Sequence, residues 1–301
     1  MHKSSFVNII GNPNVGKSSL TNSLMGQKLS IITSKAQTTR HRILAILNNE
    51  NYQLVISDTP GIVKPAHKLH ESMMGSISLT TEDADVLLYV VEYKDHNLKD
   101  EKLFSKIENI KTPLILVINK IDLIDQEKLD DEINFWTKKL PNAEVWPISV
   151  KESFNIDKLL ERLVELSPNH PPFFPKDQIT DKNERFFVNE IIREKILLNY
   201  SKEIPYSVEI VTEEFKEEDN IIRIRSVIFV ERSSQKGIII GHKGSAIKKL
   251  GTDSRKELEE FFNKKIFIDL HVKVNKNWRS DENKLKKFGY QNNWFIVEIK
   301  D

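Results

Sequence analysis

The segment Gly11-Asn12-Pro13-Asn14-Val15-Gly16-Lys17-Ser18 constrains this chain more than any other feature, because it has the form G-x-x-x-x-G-K-S. In such a segment, small residues let consecutive backbone N–H groups turn towards a phosphate. Lys17 supplies a cation and the Ser18 hydroxyl can bind Mg²⁺. An apolar run, residues 6–10, precedes the segment and a helical stretch, residues 19–25, follows it. The positive end of that helix would face the phosphates, so the pattern predicts a phosphate-binding loop rather than a glycine turn without a ligand.

Two later motifs assign further tasks to the same site. In Asp58-Thr59-Pro60-Gly61, the carboxylate is placed to hold Mg²⁺ and the Gly61 N–H can sense a γ-phosphate, although a plain β-turn is the alternative. In Asn119-Lys120-Ile121-Asp122, the Asp122 carboxylate can accept from guanine N1–H and N2–H₂, which adenine does not offer. Paired hydrogen bonds of this kind exclude ATP and select GTP and GDP.

The predicted nucleotide site includes one weaker segment, in which a backbone N–H would reach guanine O6. The predicted nucleotide-binding residues are Gly11, Asn12, Pro13, Asn14, Val15, Gly16, Lys17, Ser18, Ser19, Asp58, Thr59, Pro60, Gly61, Asn119, Lys120, Asp122, Ser149, Val150 and Lys151. The weaker segment is Ser149-Val150-Lys151. Ser18 and Asp58 are predicted Mg²⁺ ligands.

The first half of the chain alternates apolar strands with helical stretches, at residues 98–109, 127–140 and 154–166. A polar cluster at residues 48–51 separates two short strands and predicts a hairpin. Residues 86–91 and 114–118 are almost pure Val, Leu and Ile, as in strands covered on both faces. This pattern predicts a doubly wound α/β fold with a mostly parallel sheet, whose ligand site lies at the carboxyl ends of the strands.

Length and composition indicate a two-domain protein in a reducing compartment. A chain of 301 residues exceeds the usual size of one core. It contains no Cys, which excludes disulfides and thiolate metal sites. The amino terminus runs directly into the first strand without a signal-peptide core, and no apolar stretch approaches 18 residues. We therefore expect a cytoplasmic protein.

A proline-rich stretch, residues 167–175, divides the chain, because proline fixes its own φ angle and restrains the preceding residue. We predict a first domain over residues 1–168, a linker over 169–180 and a second domain over 181–301. The second domain has the predicted order α-β-β-α-α-β, with helices at 184–199 and 245–262 and strands at 206–212, 221–231 and 266–274. Between its last two helices lies Gly241-His242-Lys243-Gly244, which matches the G-x-x-G loop of a type II KH domain.

Charge in the second domain favours an RNA-binding surface. Residues 232–287 hold 15 basic and 7 acidic residues, an excess of eight positive charges in a chain of net charge +1. The predicted RNA-binding residues are Lys236, Ile239, Ile240, Gly241, His242, Lys243, Gly244, Lys248 and Lys249. Trp278 and Phe288 lie among further basic residues, where they would either stack on RNA or pack in the core, with core packing favoured.

The order of these motifs resembles the translation-factor-related class of small GTPases, and Gln37-Thr38-Thr39-Arg40 resembles the switch I of the Era family. With a C-terminal KH domain, the resemblance extends along nearly the whole chain. It implies a GTPase with Mg²⁺ that binds small-subunit ribosomal RNA near its 3′ end and acts in assembly of the small ribosomal subunit. Peripheral membrane association occurs in some members. By this match Thr39 is the Mg²⁺-binding threonine, with Thr38 as the alternative, and His242 replaces the usual lysine.

The residue after Gly61 is Ile62, where Ras-like enzymes carry the glutamine that orients water. We therefore expect slow intrinsic turnover. Asn14 matches an asparagine that holds K⁺ in related GTPases with a hydrophobic residue at this point, although Asn14 could instead only brace the loop. We expect a monomer. A GTPase whose basic second domain docks on a membrane or a protein partner is the competing hypothesis for the whole chain.

Overall fold

In a computed structural model of the chain, residues 1–35, 37–97 and 100–290 are described, and they form two compact units. The first unit comprises residues 1–66 and 70–181, and the second comprises residues 67–69 and 182–290. Within the described ranges, no helix is both long and apolar enough to cross a membrane.

The first unit is built on a six-stranded sheet in the order β2-β3-β1-β4-β5-β6, in which only the β2–β3 pair is antiparallel. Its strands are β1 (Lys3–Ile10), β2 (Ile43–Asn48), β3 (Tyr52–Asp58), β4 (Val86–Val91), β5 (Leu114–Ile118) and β6 (Ala143–Pro147). Its helices are α1 (Lys17–Met25), α2 (Lys68–Glu82, which belongs to this unit from His70 onwards), α3 (Glu101–Glu108), α4 (Gln126–Lys139) and α5 (Ile156–Leu166). β4 and β5 are buried along their whole length, as expected of strands covered on both faces. This confirms the doubly wound α/β fold.

Two helices of the first unit differ from the sequence prediction. The helix α2 was not predicted, because its many Ser and Thr residues weaken the apolar period. The helix predicted over residues 98–109 begins at Glu101, since the Asp100 carboxylate accepts hydrogen bonds from the N–H groups of Lys102 and Leu103 and so caps the helix. Leu98 and Lys99 lie outside the described residues.

Residues 168–181, which we call the strap, run along the first unit and contain the predicted linker. The rings of Phe173 and Phe174 pack against a cluster of buried apolar side chains on β1, β2 and β3. The amide of Gln53, buried in β3, accepts from the N–H groups of both phenylalanines and donates to the Phe174 carbonyl. The strap therefore covers one apolar face of the sheet.

The strap also pairs with the outer edge of β2. The Ile46 N–H donates to Ile179 O at 2.9 Å, and the Leu44 N–H donates to the Asp181 carboxylate at 2.9 Å. Thr180 forms an isolated antiparallel bridge with Ala45. The limits of the linker and of the two domains stay a prediction.

The second unit follows the predicted order α-β-β-α-α-β, and a short additional helix comes after it within the residues that the structure describes. Its elements are α6 (Glu184–Asn199), β7 (Glu209–Glu217), β8 (Ile221–Val230), α7 (Ser233–Ile240), α8 (Ser245–Phe262), β9 (Lys265–Val274) and α9 (Glu282–Lys287). β8 pairs antiparallel with β7 and parallel with β9. The strand predicted at residue 206 begins instead at Glu209, because Pro205 lies in a 3₁₀ turn over Ile204–Tyr206.

The core of the second unit explains the alternation seen in its sequence. Ile222, Ile224 and Ile228 of β8 are buried against α6 and α8, while Arg223 and Arg225 between them are exposed. Trp278 is fully buried and its indole N–H donates to Ser207 O at 3.1 Å. Phe288 stacks edge-on against that indole, with ring centroids 5.6 Å apart. The favoured prediction of core packing is confirmed for Trp278, so this residue is not available to stack on RNA.

Candidate nucleotide site and nucleic-acid groove

The phosphate-binding loop joins β1 to α1 and is held by buried polar contacts. The Asn12 side-chain amide donates to Asp95 Oδ1 at 2.6 Å and to Asn97 O at 2.9 Å. Gly16 has a φ of 100°, and a Cβ added there would lie 2.2 Å from Nδ2 of Asn119, so only glycine fits. The loop lines a cavity of about 480 Å³. This cavity is also lined by Ser18, Ser19, Ile31, Ile32, Thr33, Ser34, Gln37, Thr38, Thr39, Thr59, Gly61 and Lys120.

The Lys17 side chain is folded back into its own loop. Its Nζ atom donates to Gly11 O at 3.1 Å and to Asn12 O at 2.9 Å, and the side chain is buried. Burial lowers the pKa of Lys17 to about 8, although the carboxylates of Asp58 and Asp95 oppose that change. A bound phosphate would add further negative charge beside this buried amine.

Three predicted Mg²⁺ ligands converge at the end of β3. The Ser18 hydroxyl donates to Asp58 Oδ2 at 2.7 Å and lies 2.9 Å from Thr39 Oγ1. The other carboxylate oxygen, Asp58 Oδ1, is buried without a hydrogen-bond partner among the described residues. Two hydroxyls and a carboxylate oxygen are ligands that Mg²⁺ accepts, and a cation would satisfy the unpaired oxygen.

Burial of Asp58 raises its pKa, which the hydroxyls of Ser18 and Thr39 and the cation of Lys17 partly oppose. Thr38, the alternative metal ligand, is turned into its own loop, where its hydroxyl donates to Lys35 O at 2.6 Å and lies 2.7 Å from Thr33 Oγ1. The geometry thus favours Thr39 over Thr38. Arg40 is 1% exposed and so is packed inside the unit.

The segment after β3 approaches the phosphate-binding loop closely. A Cβ on Gly61 would lie 2.7 Å from the Cα of Pro13. Thr59 Oγ1 donates to Ile9 O at 2.5 Å, and the Ile62 N–H donates to Gly11 O at 3.2 Å. The Ile62 side chain itself is fully buried in the apolar core under β4 and β5. It therefore points away from the cavity.

The motif Asn119-Lys120-Ile121-Asp122 lies in a segment that is hydrogen-bonded to the phosphate-binding loop. Asn119 Nδ2 donates to Val15 O at 2.9 Å, and Asn119 Oδ1 accepts from the Val150 N–H at 3.3 Å. Lys120 Nζ donates to Asn14 O at 2.6 Å and pairs with Glu92. The 3% exposed Asn119 thus joins the loops. Both ends of the Asn119 side-chain amide have protein partners, and its contact with a nucleotide stays a prediction.

Asp122 is oriented by the segment that follows β6. Ser149 Oγ donates to Asp122 Oδ1 at 2.6 Å, and Lys151 Nζ lies 3.7 Å from Asp122 Oδ2. The Ser149 hydrogen bond, with Lys151 nearby, lowers the pKa of Asp122. The carboxylate is therefore held ionised and aimed, as acceptance from two guanine N–H groups requires.

The G-x-x-G loop of the second unit connects α7 to α8. Gly241 has a φ of 73°, and a Cβ added there would lie 2.6 Å from the Cβ of Ala246. Gly244 has a φ of 79° with open space around it. His242 and Lys243 between them are exposed, as are Lys248 and Lys249, while Lys236, Gly241 and Gly244 are partly exposed. The loop therefore presents charge and bare backbone at one place.

One predicted RNA-binding residue is misplaced. Ile239 is fully buried in the core of the second unit, so it cannot contact RNA directly. Ile240 is only partly buried and packs against that core, and Ile238 is 50% exposed. In the sequence, the three consecutive isoleucines suggest one apolar face. In the helix α7, however, successive side chains point in directions about 100° apart, so the three cannot share a face.

A groove of about 400 Å³ lies between α8 and β9. It is lined by Ile247, Lys248, Gly251, Thr252 and Arg255 of α8 and by Ile266, Phe267, Ile268 and Leu270 of β9. Of these, only Lys248 was predicted from the sequence. The spacing of Ile247, Gly251 and Arg255 at i, i+4 and i+8 places them on one helix face, a signal that could have identified them. The groove combines apolar walls with two cations, which suits unstacked bases on a phosphate backbone.

Two family models match parts of the chain. Residues 6–120 match the family described as 50S ribosome-binding GTPase, and residues 203–279 match the KH domain family. The chain is 42% identical to GTPase Era of Ruminiclostridium cellulolyticum, over 97% of the chain and 99% of that protein. It is 45% identical to GTPase Era of Syntrophus aciditrophicus, over 96% of each.

Two solved structures resemble the whole chain, each with a TM-score of 0.91 and 37% identity over 96% of this chain and 99% of the other. One is a variant of Aquifex aeolicus Era bound to GDP and AlF₄⁻. The other is Era in complex with MgGDPNP and nucleotides 1506–1542 of 16S ribosomal RNA.

Proposed function

The chain belongs to the Era family of GTPases, and from that membership we propose that its second unit binds the 3′ end of small-subunit ribosomal RNA during assembly of the small ribosomal subunit. The protein is a GTPase that converts GTP to GDP and phosphate. In this proposal, hydrolysis resets RNA binding.

The residues of the first unit divide the work of GTP hydrolysis. Backbone N–H groups of the phosphate-binding loop and the Lys17 amine hold the phosphates, while Asp122 holds the guanine. Ser18, Thr39 and Asp58 would hold Mg²⁺, which neutralises charge on the phosphate oxygens when bound. Because the Ile62 side chain lies in the core, the residue after Gly61 supplies no group that orients water. We propose that intrinsic turnover is slow for this reason.

The observation that carries the RNA proposal is the groove between α8 and β9, which lies in the same unit as the exposed loop of His242 and Lys243. Glycines at both ends of that loop let a phosphate backbone approach closely. Position 242 holds histidine where the family usually has lysine. We therefore propose that Lys243, Lys248 and Arg255 supply most of the phosphate contacts.

The experiment is RNA binding by the full chain, with a single-stranded RNA of the 3′-terminal small-subunit sequence. Replacing His242 and Lys243 by Asp should weaken binding strongly, because two carboxylates then face the phosphates. For every phosphate that the variant no longer neutralises, the log–log salt dependence should flatten by about 0.7. A matched double variant, Lys202→Asp with Lys216→Asp, changes two exposed lysines outside the loop and the groove and should bind almost as the unmodified chain does.

Unchanged RNA affinity in the loop variant, with its fold verified by circular dichroism, would contradict the RNA proposal. We further propose that the protein acts as a monomer in the cytoplasm. The competing hypothesis is peripheral contact of the basic second unit with the inner face of the membrane. Sedimentation with anionic phospholipid vesicles, at the salt concentration that gives RNA binding, separates the two.

We also propose that K⁺ assists hydrolysis beside Asn14. This residue lies in the phosphate-binding loop, and its side-chain nitrogen donates to Ser34 O at 3.0 Å. The side-chain oxygen is the atom type that K⁺ prefers, and a second cation there would neutralise charge between the β- and γ-phosphates. The hydrogen bond to Ser34 equally supports a role in bracing the loop, so the two roles are separated by the salt experiment given below.

A further inference from the structure

A part-buried ion pair joins the segment that follows Thr39 to the residue that follows α2. Arg42 Nη1 lies 2.6 Å from Asp83 Oδ2, and Arg42 Nη2 donates to Asp83 Oδ1 at 3.1 Å. The two side chains are 13% and 9% exposed. This two-bond contact between a guanidinium and a carboxylate fixes the orientation of both groups.

The same guanidinium contacts two strands of the sheet. Its Nε and Nη2 atoms donate to Ser57 Oγ at 3.0 and 2.8 Å, and Nη2 also approaches Asn8 Oδ1 at 3.2 Å. Asn8 in turn donates to Asp83 Oδ1 at 2.5 Å and to Thr80 O at 2.6 Å. Asn8 and Ser57 are fully buried and adjacent in the register of β1 and β3. We call Arg42, Asp83, Ser57 and Asn8 the Arg42 network.

Three members of the Arg42 network lie within three positions in the chain of a predicted nucleotide-site residue. Arg42 is three residues after Thr39, and Ser57 immediately precedes Asp58. Asn8 is three residues before Gly11, where the phosphate-binding loop begins, and Asp83 directly follows α2. The Arg42 guanidinium thus connects the loop that carries Thr39, the strand that carries Asp58 and the strand that leads to the phosphate-binding loop.

Arg42 does not line the nucleotide cavity, so any effect on hydrolysis must pass through these neighbours. We propose that Arg42 is a positioning residue for GTP hydrolysis, which holds the Thr39 loop and the Asp58 strand in mutual register. Loops of this kind order around a γ-phosphate and its metal and are released after hydrolysis. A fixed anchor three residues from Thr39 reduces the number of arrangements that the loop can adopt, which favours the ordered state.

The groups that bind GDP lie outside the Arg42 network. Lys17 Nζ and the Asp122 carboxylate have their own partners, and none of these is in the Arg42 network. Loss of the network should therefore affect GTP more than GDP. It should also lower kcat more than it changes KM, since the metal and the reacting phosphate are held by Thr39 and Asp58.

The test compares Arg42→Lys with the unmodified full chain. Lysine keeps the positive charge, but its three donors share one nitrogen and cannot reproduce the bonds that Nε, Nη1 and Nη2 of Arg42 make to Asp83, Ser57 and Asn8. Loss of charge-assisted hydrogen bonds predicts that kcat falls about tenfold while KM changes less than about threefold. With Mg²⁺ present, the affinity of a non-hydrolysable GTP analogue relative to GDP should fall about threefold, in step with KM, and GDP affinity without Mg²⁺ should change less than about twofold.

Arg162→Lys is the matched control, because Arg162 makes a similar two-bond contact with Glu144 at 2.9 and 2.6 Å, between α5 and β6. It should leave kcat and the ratio of the two affinities unchanged. If Arg42→Lys lowers the melting temperature but leaves kcat and that ratio as in the control, Arg42 serves only the fold and the proposal is overturned.

If Arg42→Lys does not fold, Ser57→Ala carries the test, since it removes one acceptor and leaves the ion pair. It should lower kcat and the affinity ratio in the same direction, by about threefold. Unchanged values in a folded Ser57→Ala protein would equally overturn the proposal. The test uses only GTP hydrolysis and nucleotide affinities, so failure of RNA binding would not affect it.

Discussion

The amide nitrogen of Asn119 lies 2.9 Å from the carbonyl oxygen of Val15, so the loop after β5 is bonded directly to the phosphate-binding loop. The same side chain accepts from the Val150 N–H after β6. One buried amide therefore sets the distance between the groups that bind the guanine and those that bind the phosphates.

Asn119→Ala should weaken GTP and GDP binding together, by about 10- to 100-fold, because loss of a buried hydrogen-bonding group typically costs about 1–3 kcal/mol. The preference for guanine over adenine should change much less, since Asp122 remains in place. Titration with fluorescent guanine and adenine nucleotides measures both quantities. Asn109→Ala, an exposed residue at the end of α3, is the control. A loss of GTP affinity that spared GDP would contradict the bracing role.

Asp122→Asn should exchange a guanine preference for a xanthine preference. Xanthine presents an oxygen where guanine has its N2 amino group, and the new side-chain NH₂ can donate to that oxygen. Mismatched hydrogen bonds at such a site change selectivity by roughly 10⁴-fold. Ser149→Ala should give a smaller loss of GTP affinity, because it removes the hydroxyl that orients Asp122. Competition between GTP and XTP for the variant is the measurement, and retention of the original order would refute the assignment.

The affinity for GDP should fall as the pH rises above 8. Lys17 has a pKa of about 8 in the nucleotide-free protein, and only its protonated amine pairs with phosphate. Above that pH, binding must recapture a proton, so the dissociation constant should increase up to about tenfold per pH unit. Measurement between pH 7 and 9 tests this. Lys17→Arg, whose guanidinium stays protonated, should bind with a flat profile over that interval.

GTP turnover should be faster in KCl than in NaCl at equal ionic strength, and Asn14→Ala should remove that difference. The reason is the proposed second cation beside the phosphates. GDP affinity, measured in both salts, should stay the same in the variant. Equal rates in the two salts for the unmodified chain would leave Asn14 with its hydrogen bond to Ser34 and would remove the K⁺ proposal.

Sequence reasoning located the phosphate and guanine loops because their chemistry resides in a few contiguous residues next to apolar strands. It also identified the order of the second unit, since β8 alternates clearly between buried isoleucines and exposed arginines. It missed α2, whose Ser and Thr residues conceal its period. It placed Ile239 on the surface, since a short apolar run does not reveal which face of a helix is buried.

The Arg42 network and the partners of Asn119 could not be read from the sequence. Their members are separated by 15 to 104 positions in the chain, and only the fold brings them together. The groove wall formed by Arg255, Ile268 and Leu270 has the same origin, because it combines a helix face with a strand. Local patterns predict elements and short motifs, whereas contacts between distant segments depend on the packing.

The strap determines where the chain can be cut. A fragment that ends at residue 168 or 175 would leave β2 as an open edge strand, with the Ile46 N–H unpaired and, for the shorter one, the apolar face of Phe6 and Val55 uncovered. Open edges and bare apolar faces promote aggregation. A fragment of residues 1–181 keeps the pairing of Ile179 and Asp181 with β2. Preparations of the nucleotide-binding half should therefore remain dispersed at high concentration only when they include these residues.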